Sequence, residues 1–248
     1  MLTNILEVSN LYVSYENSRK TPFEKKTKTQ VLKDVSFTME KGEILGLVGE
    51  SGSGKSTLAR AILNMIPYEG TINRLDSNFQ MVFQDPYGSL NPSKKLGWIL
   101  EEPLRLKGGY TPEERQEKVL AMLKMVGLDE KFIDRYPSQL SGGQRQRVCI
   151  ASALMLEPSL LITDEPVSAL DVTIQAQILE LFEKIHEEMG LSILFISHDL
   201  RVVYHTCDRV MIMKDGRLVE MGPVDEVYFN HKHPYTGELL KAAGIGEV

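Results

Sequence analysis

An α/β fold with a helical lobe inserted into it is the architecture this sequence predicts. Three observations carry that expectation. Strand-length apolar runs alternate with segments of helical period towards both ends of the chain. Between them, from about Lys95 to Leu156, the pattern turns mostly helical, as when a lobe is inserted into a strand–helix core. A glycine-rich loop from Gly49 to Thr57 joins one such strand to one such helix.

The elements follow in order. Short β-segments come first: Ile5-Leu6-Glu7-Val8, Leu11-Tyr12-Val13-Ser14-Tyr15, Val31 to Met39, and Glu43 to Val48. Between Tyr15 and Val31 a polar insert sets Arg19, Lys20, Lys25, Lys26 and Lys28 against Glu16 and Glu24. A charge run of this kind reads as a solvated loop, with contact to anionic lipid headgroups as the other reading. Lys55 to Met65 has helical period, and Phe79-Gln80-Met81-Val82-Phe83 is a strand. In the helical stretch Pro103, Pro112 and Pro137 punctuate the chain, and Gly108-Gly109 and Gly127 supply breaks. Leu160-Leu161-Ile162-Thr163 is a near-continuous apolar run, the mark of a buried parallel strand. A helix at about Ile174–Met189 follows, then a strand at Ser192–Ile196, a short helix, and strands near Val210–Met213 and Arg217–Met221. Residues 223–248 form a tail with two short helical pieces.

The chain has 248 residues, 42% hydrophobic and 25% charged, ordinary values for a soluble globular protein with a substantial core. Its net charge of −6 argues against a general basic surface for nucleic acid, yet leaves room for a local phosphate site. No apolar run approaches the ~18–20 residues of a membrane span. Met1 to Asn10, carrying Glu7, does not read as a secretory signal. Cys149 and Cys207 lie far apart and form no CxxC pair, so two cytosolic thiols are the plain reading.

Gly49-Glu50-Ser51-Gly52-Ser53-Gly54-Lys55-Ser56-Thr57 fits the pattern G-x-x-x-x-G-K-[ST] between a strand and a helix. Glycines let the backbone wrap tightly, so that successive N–H groups face phosphate oxygens, reinforced by the helix N-terminus. Lys55 then reaches the β- and γ-phosphates of a nucleoside triphosphate, and the Ser56 hydroxyl ligates Mg²⁺.

Further along, Leu140-Ser141-Gly142-Gly143-Gln144, taken with the phosphate loop, resembles the signature of ABC-type ATPases, and other elements appear in that family's order from Tyr15 to His198. The resemblance implies a RecA-like P-loop core with an antiparallel β subdomain and an inserted α-helical subdomain. It places the ATPase domain at residues 1–222, the helical subdomain at about 85–156, and a tail at 223–248. It implies ATP and Mg²⁺ as ligands, sandwiched between two cassettes: Ser141, Gly142, Gly143 and Gln144 would serve the partner's nucleotide. Leu160 to Glu165 resembles the Walker B strand, with Asp164 on Mg²⁺ and Glu165 as general base. The alternative for paired acids is a helix N-cap region. His198 matches the switch histidine, and Gln84 the hinge glutamine that senses Mg²⁺ and the γ-phosphate. Ser168-Ala169-Leu170-Asp171 matches the loop crossing the dimer interface. Tyr15 is the aromatic assigned to the adenine, with Tyr12 its competitor.

Gln84-Asp85-Pro86-Tyr87-Gly88-Ser89-Leu90-Asn91-Pro92 and the tail His233-Pro234-Tyr235-Thr236 are similar to the ATPase subunits of dipeptide, oligopeptide and nickel importers. That resemblance implies transmembrane permease subunits, a second ATPase subunit (paralogue or copy) and, indirectly, an extracellular solute-binding protein. It implies no nucleic acid, and a place on the cytoplasmic face of the membrane. His231 and His233 are too few ligands for a closed metal site. The other function classes are a soluble ABC ATPase in DNA repair or on the ribosome, a P-loop kinase or GTPase, and a regulatory subunit without turnover. The absent coiled-coil insertion and second cassette, the signature, and the retained Glu165 and His198 argue against them in turn. The solute is not written in this sequence.

Overall fold

The structure is a computed structural model and describes residues 3–16, 28–168 and 170–245. Its contacts define two compact units, residues 1–77 with 192–248, and residues 78–191. In chain order the first unit begins with β1 (Asn4–Glu16), β2 (Lys28–Glu40), β3 (Ile44–Val48), α1 (Lys55–Ile62) and β4 (Glu69–Arg74). The second contains β5 (Phe79–Val82), α2 (Pro86–Ser89), α3 (Leu96–Lys107), α4 (Pro112–Met125), α5 (Gly142–Leu154), β6 (Leu160–Asp164) and α6 (Val172–Met189). The first unit resumes with β7 (Ser192–Ile196), α7 (Leu200–Thr206), β8 (Arg209–Lys214), β9 (Arg217–Pro223), α8 (Val224–Phe229) and α9 (Pro234–Ala242).

Within the first unit β2, β1 and β4 form an antiparallel sheet with β1 in the middle. The two segments expected at 5–8 and 11–15 are one strand, interrupted by an irregular register between Val8 and Leu11. Asn10 causes the interruption by taking a positive φ of 48°. The excursion is held in place: the Asn10 N–H donates to Ser36 Oγ at 2.8 Å and its side-chain amide to Asp34 Oδ1 at 2.9 Å. Leu6, Val8, Leu11 and Val13 are buried against the core on either side of it. The β1–β2 pairing runs outward as far as Glu16 opposite Lys28. The polar insert between them, expected as a solvated loop, lies outside the described residues from 17 to 27.

The same unit holds a parallel set, with β3 flanked by β7 and β8, and β9 added antiparallel to β8. Every residue of β3 and β7 is buried, which is why both read as continuous apolar runs rather than alternations.

In the second unit β5 and β6 pair in parallel, and β6 is wholly buried. The helical stretch resolves into α3 to α5 with two 3-10 turns, Glu130–Asp134 and Pro137–Gln139, and the short α2 precedes it. Pro112 and Pro137 sit at first helical positions, where the missing N–H costs nothing. Pro103 does not end its segment: α3 runs through it to Lys107, with Gly108 as its C-cap. The helix tolerates the lost donor because Ile99, Leu100 and Leu104 on that stretch are buried and hold it in place. A capping box starts α4, with Thr111 and Glu114 exchanging side chain-to-backbone bonds at 3.2 and 2.7 Å.

Candidate functional site

Two groups of predicted residues leave the C-terminal ends of parallel strands, the edge where open α/β sheets bind ligands. In the first unit, Leu47 of β3 pairs with Ile196 of β7, and the Ser197 N–H donates to Leu47 O at 3.2 Å. The phosphate loop therefore leaves β3 beside the point where His198 leaves β7. His198 is exposed, between buried Ser197 and Asp199, which caps α7 by accepting from the Arg201 N–H at 2.9 Å.

The loop itself is closely braced. A Cβ on Gly49 would lie 2.1 Å from Met213 O, so the loop can pass β8 only as glycine. Gly54, at φ 109°, turns the chain into α1 and accepts from the Leu58 N–H at 2.9 Å. Gly216, in the β8–β9 turn, donates its N–H to Ser53 O at 2.9 Å. Lys55 is 6% exposed, and its ammonium donates to Gly49 O at 2.8 Å and Glu50 O at 2.9 Å. Ser53 Oγ is buried with no hydrogen-bond partner among the described residues. Ser51 and Gly52 are exposed at the tip, while Ser56 and Thr57 are half-buried on the first turn of α1, where helix geometry directs N–H groups outward. A held ammonium, a helix N-terminus and a glycine-shaped concavity together fit a polyphosphate.

Tyr15 is 38% exposed near the end of β1. Its competitor Tyr12 is engaged elsewhere: burial, then the Asp34 carboxylate, raise its phenol above the ordinary range. An exposed ring is the one suited to stacking on a base.

In the second unit, Val82 of β5 pairs with Thr163 of β6, so Gln84 and the Asp164-Glu165 pair emerge side by side. Gln84 Nε2 donates to Glu165 Oε2 at 3.1 Å. Asp164 is 7% exposed at the strand end, while Glu165 takes a positive φ of 49°, a strained conformation for a non-glycine residue. The turn is fixed by Ser168, whose N–H and hydroxyl both donate to Glu165 O, at 3.3 and 3.2 Å. The helix-cap reading of these acids fails, since α6 is capped by Asp171.

The signature segment opens α5. Ser141 Oγ accepts from the Gln144 N–H at 3.3 Å and Gln144 Oε1 accepts from the Ser141 N–H at 3.1 Å, a closed capping box. A Cβ on Gly143 would lie 2.5 Å from Ile174 Cγ2, so this glycine lets α5 and α6 approach. Asp171 accepts from the Ile174 N–H at 3.0 Å. Sequence reasoning missed Gln175, whose amide donates to Val167 O and Leu170 O, both at 3.0 Å, and so shapes the Asp171 loop. The signal was its place one helical turn beyond Asp171. Ala169 of that loop lies outside the described residues.

Comparison with known proteins places this geometry. The family described as ABC transporter matches residues 32–168. The dipeptide transport ATP-binding protein DppF of Haemophilus influenzae is 48% identical over 245 residues, 92% of this chain and 75% of that one. The oligopeptide transport ATP-binding protein AppF of Bacillus subtilis is 49% identical over 228 residues, 85% of this chain and 69% of its own. Among solved structures, the dimeric post-hydrolysis state of the ATP-binding cassette MJ0796 bound to ADP and Pi superposes with a TM-score of 0.74 at 31% identity, covering 88% of this chain and 98% of that one. The structure of cbiO1 from Clostridium perfringens, part of the ABC transporter complex cbiONQ, gives 0.77 at 28% identity, covering 96% and 99%. The phosphate loop, the acid–amide pair and the signature helix thus stand in a protein that belongs to the ABC transporter family and carries its ATPase cassette.

Proposed function

We propose that this chain is the ATP-hydrolysing subunit of a peptide importer, seated on permease subunits at the cytoplasmic face of the membrane and paired with a second ATPase subunit. The observation that carries this reading is the similarity, over most of the chain, to dipeptide and oligopeptide transport ATP-binding proteins. Two features of the structure support it. No described helix is long and apolar enough to cross a membrane, as fits a subunit that sits on permease chains. In the second unit a hollow of about 180 Å³ is lined by Phe83, Leu90, Pro103 and Cys149 together with Ser89 and Ser152, and Phe83 is exposed. A partly apolar hollow with an exposed aromatic at it suits a short helix from a permease.

Each residue then has a task. Gly49, Ser51, Gly52, Ser53, Gly54, Ser56 and Thr57 cradle the triphosphate, and Lys55 neutralises it. Tyr15 stacks on adenine. Ser141, Gly142, Gly143 and Gln144 present the α5 N-terminus to the partner's nucleotide, and Asp171 carries the state of one site to the other. Glu165 accepts the proton of the attacking water, His198 steadies that water, and Gln84 holds Glu165 in place. Mg²⁺ is a hard cation that takes oxygen ligands, and each unit offers them: the Ser56 hydroxyl in the first, the Asp164 carboxylate and the Gln84 amide oxygen in the second, the Gln84 nitrogen being spent on Glu165. When bound, Mg²⁺ supplies charge neutralisation at the phosphate oxygens.

The test is uptake. Cells whose only copy of this chain carries Glu165→Gln should lose import of labelled di- or oligopeptides while retaining the assembled complex. Loss of nickel uptake with peptide uptake intact would move the solute to the metal. No change in either would remove the importer reading.

A further inference from the structure

The tail motif His233-Pro234-Tyr235-Thr236 has so far been only a family mark, yet in the first unit it is built against the phosphate loop. His233 Nδ1 accepts the Tyr235 N–H at 3.2 Å and so starts α9, with Pro234 at its first position. Glu220 on β9 anchors this corner: it accepts from the Lys232 N–H at 2.6 Å, from the His233 N–H at 3.2 Å, and from the Thr236 hydroxyl. Tyr235 is thereby buried to 3% exposure, with the Lys214 ammonium 4.1 Å from its ring centroid. Its hydroxyl oxygen accepts the Glu50 N–H at 3.4 Å.

That contact falls on a particular peptide. The unit joining Gly49 to Glu50 is held at both ends, its N–H by Tyr235 and its carbonyl oxygen by Lys55 Nζ at 2.8 Å. A peptide plane is rigid, so whatever fixes its N–H also fixes the direction of its carbonyl. The tail therefore sets the orientation of the group that holds the Lys55 ammonium at the loop.

We propose that Tyr235 is a positioning residue for nucleotide binding: through the Gly49–Glu50 peptide it pre-organises the phosphate loop, so docking of the tail raises affinity for the nucleotide. This rests on the reading of the loop as the phosphate site. A site fixed before binding loses less freedom when it binds. The contact is made at Glu50, near the start of the loop, whereas α1 opens at Lys55 at its far end, so Tyr235 acts on the loop through that peptide.

The test uses the full chain with Mg·ADP titrated calorimetrically, and ATP turnover in the assembled complex. Tyr235→Phe keeps the ring and removes the hydroxyl. It should weaken ADP binding and raise KM for ATP about three- to tenfold, the effect of one lost hydrogen bond, with kcat unchanged. Thr236→Val, which loosens the anchor on Glu220, should do the same. Lys55→Ala separates the two claims. If it abolishes binding while Tyr235→Phe binds as the parent does, whatever its melting temperature, the tail does not position the loop and the proposal fails. If Lys55→Ala itself binds normally, the loop reading fails and the proposal with it.

Discussion

Gln84 donates its side-chain amide to the Glu165 carboxylate at 3.1 Å, tying together the residues that emerge from two neighbouring parallel strands. The bond acts on a carboxylate whose backbone is already held at φ 49° by the turn that follows β6. Placement and aim are thus set by different elements: β6 supplies the carboxylate, and the residue leaving β5 orients it.

The pair predicts two separable losses. Glu165→Gln removes the base but keeps the cradle, so ATP still binds while hydrolysis slows by about 10²- to 10⁴-fold. Gln84→Ala leaves the base but removes its tether and one proposed oxygen ligand of Mg²⁺, and should slow hydrolysis by about tenfold or more, less than loss of the base does. Phosphate release at saturating ATP measures both; parental turnover in Glu165→Gln would take the base away from this residue.

Gly143 makes a structural prediction inside a segment usually read only for nucleotide. With Ile174 Cγ2 only 2.5 Å from a Cβ at that position, Gly143→Ala should cost about 1–3 kcal/mol by overpacking. Ile174→Ala removes the obstructing methyl, so the double variant should recover most of that cost in a double-mutant cycle of urea unfolding. Additive losses would show that α5 and α6 are free to move apart. If stability returns and turnover does not, Gly143 also acts on the nucleotide.

How much of this was legible in the sequence follows the range of each interaction. The phosphate loop, β6 and α6 were readable because their signals are local: glycines and a lysine at fixed spacing, an apolar run, a helical period. The single long β1 was not, because Asn10 breaks the alternation and is repaired only by Asp34 and Ser36 on the neighbouring strand. Pro103 misled for a similar reason, since buried leucines around it outweigh its local preference. The tail carried a recognisable motif but no hint of its target, because Tyr235 and Glu50 meet 185 residues apart in the chain.

The two thiols predict a loss of stability in alkali. Burial, then the Asp85 carboxylate, push Cys149 up to about 12. Burial, then Asp208 and Glu43, push Cys207 above the ordinary thiol range as well. A group whose folded pKa is raised stabilises fully below its unfolded value, about 8.5 for a thiol, and loses that contribution as pH rises through the folded value. By about pH 10 the parent should have lost up to about 2 kcal/mol per thiol relative to neutrality. A variant with both cysteines changed to alanine should show a shallower decline in urea midpoint across this range. Parallel declines would mean that the thiols ionise alike in both states.

Glu220 predicts the opposite limb. Burial alone would raise its carboxyl, but the Thr236 hydroxyl and the Lys232 and His233 N–H groups outweigh burial and hold it below the usual carboxylate range. A depressed folded pKa gives stability that is present above the unfolded value, about 4.3 for Glu, and is lost as pH falls through the folded value. Glu220→Gln keeps the shape and removes the charge, so at neutral pH it should be less stable by about 1–2 kcal/mol. The gap should close as pH is lowered past about 4, because protonation then gives the parent an equally uncharged group. Urea unfolding of both proteins at neutral and acid pH measures the gap. A constant difference would assign it to lost packing rather than to the charge that anchors the tail.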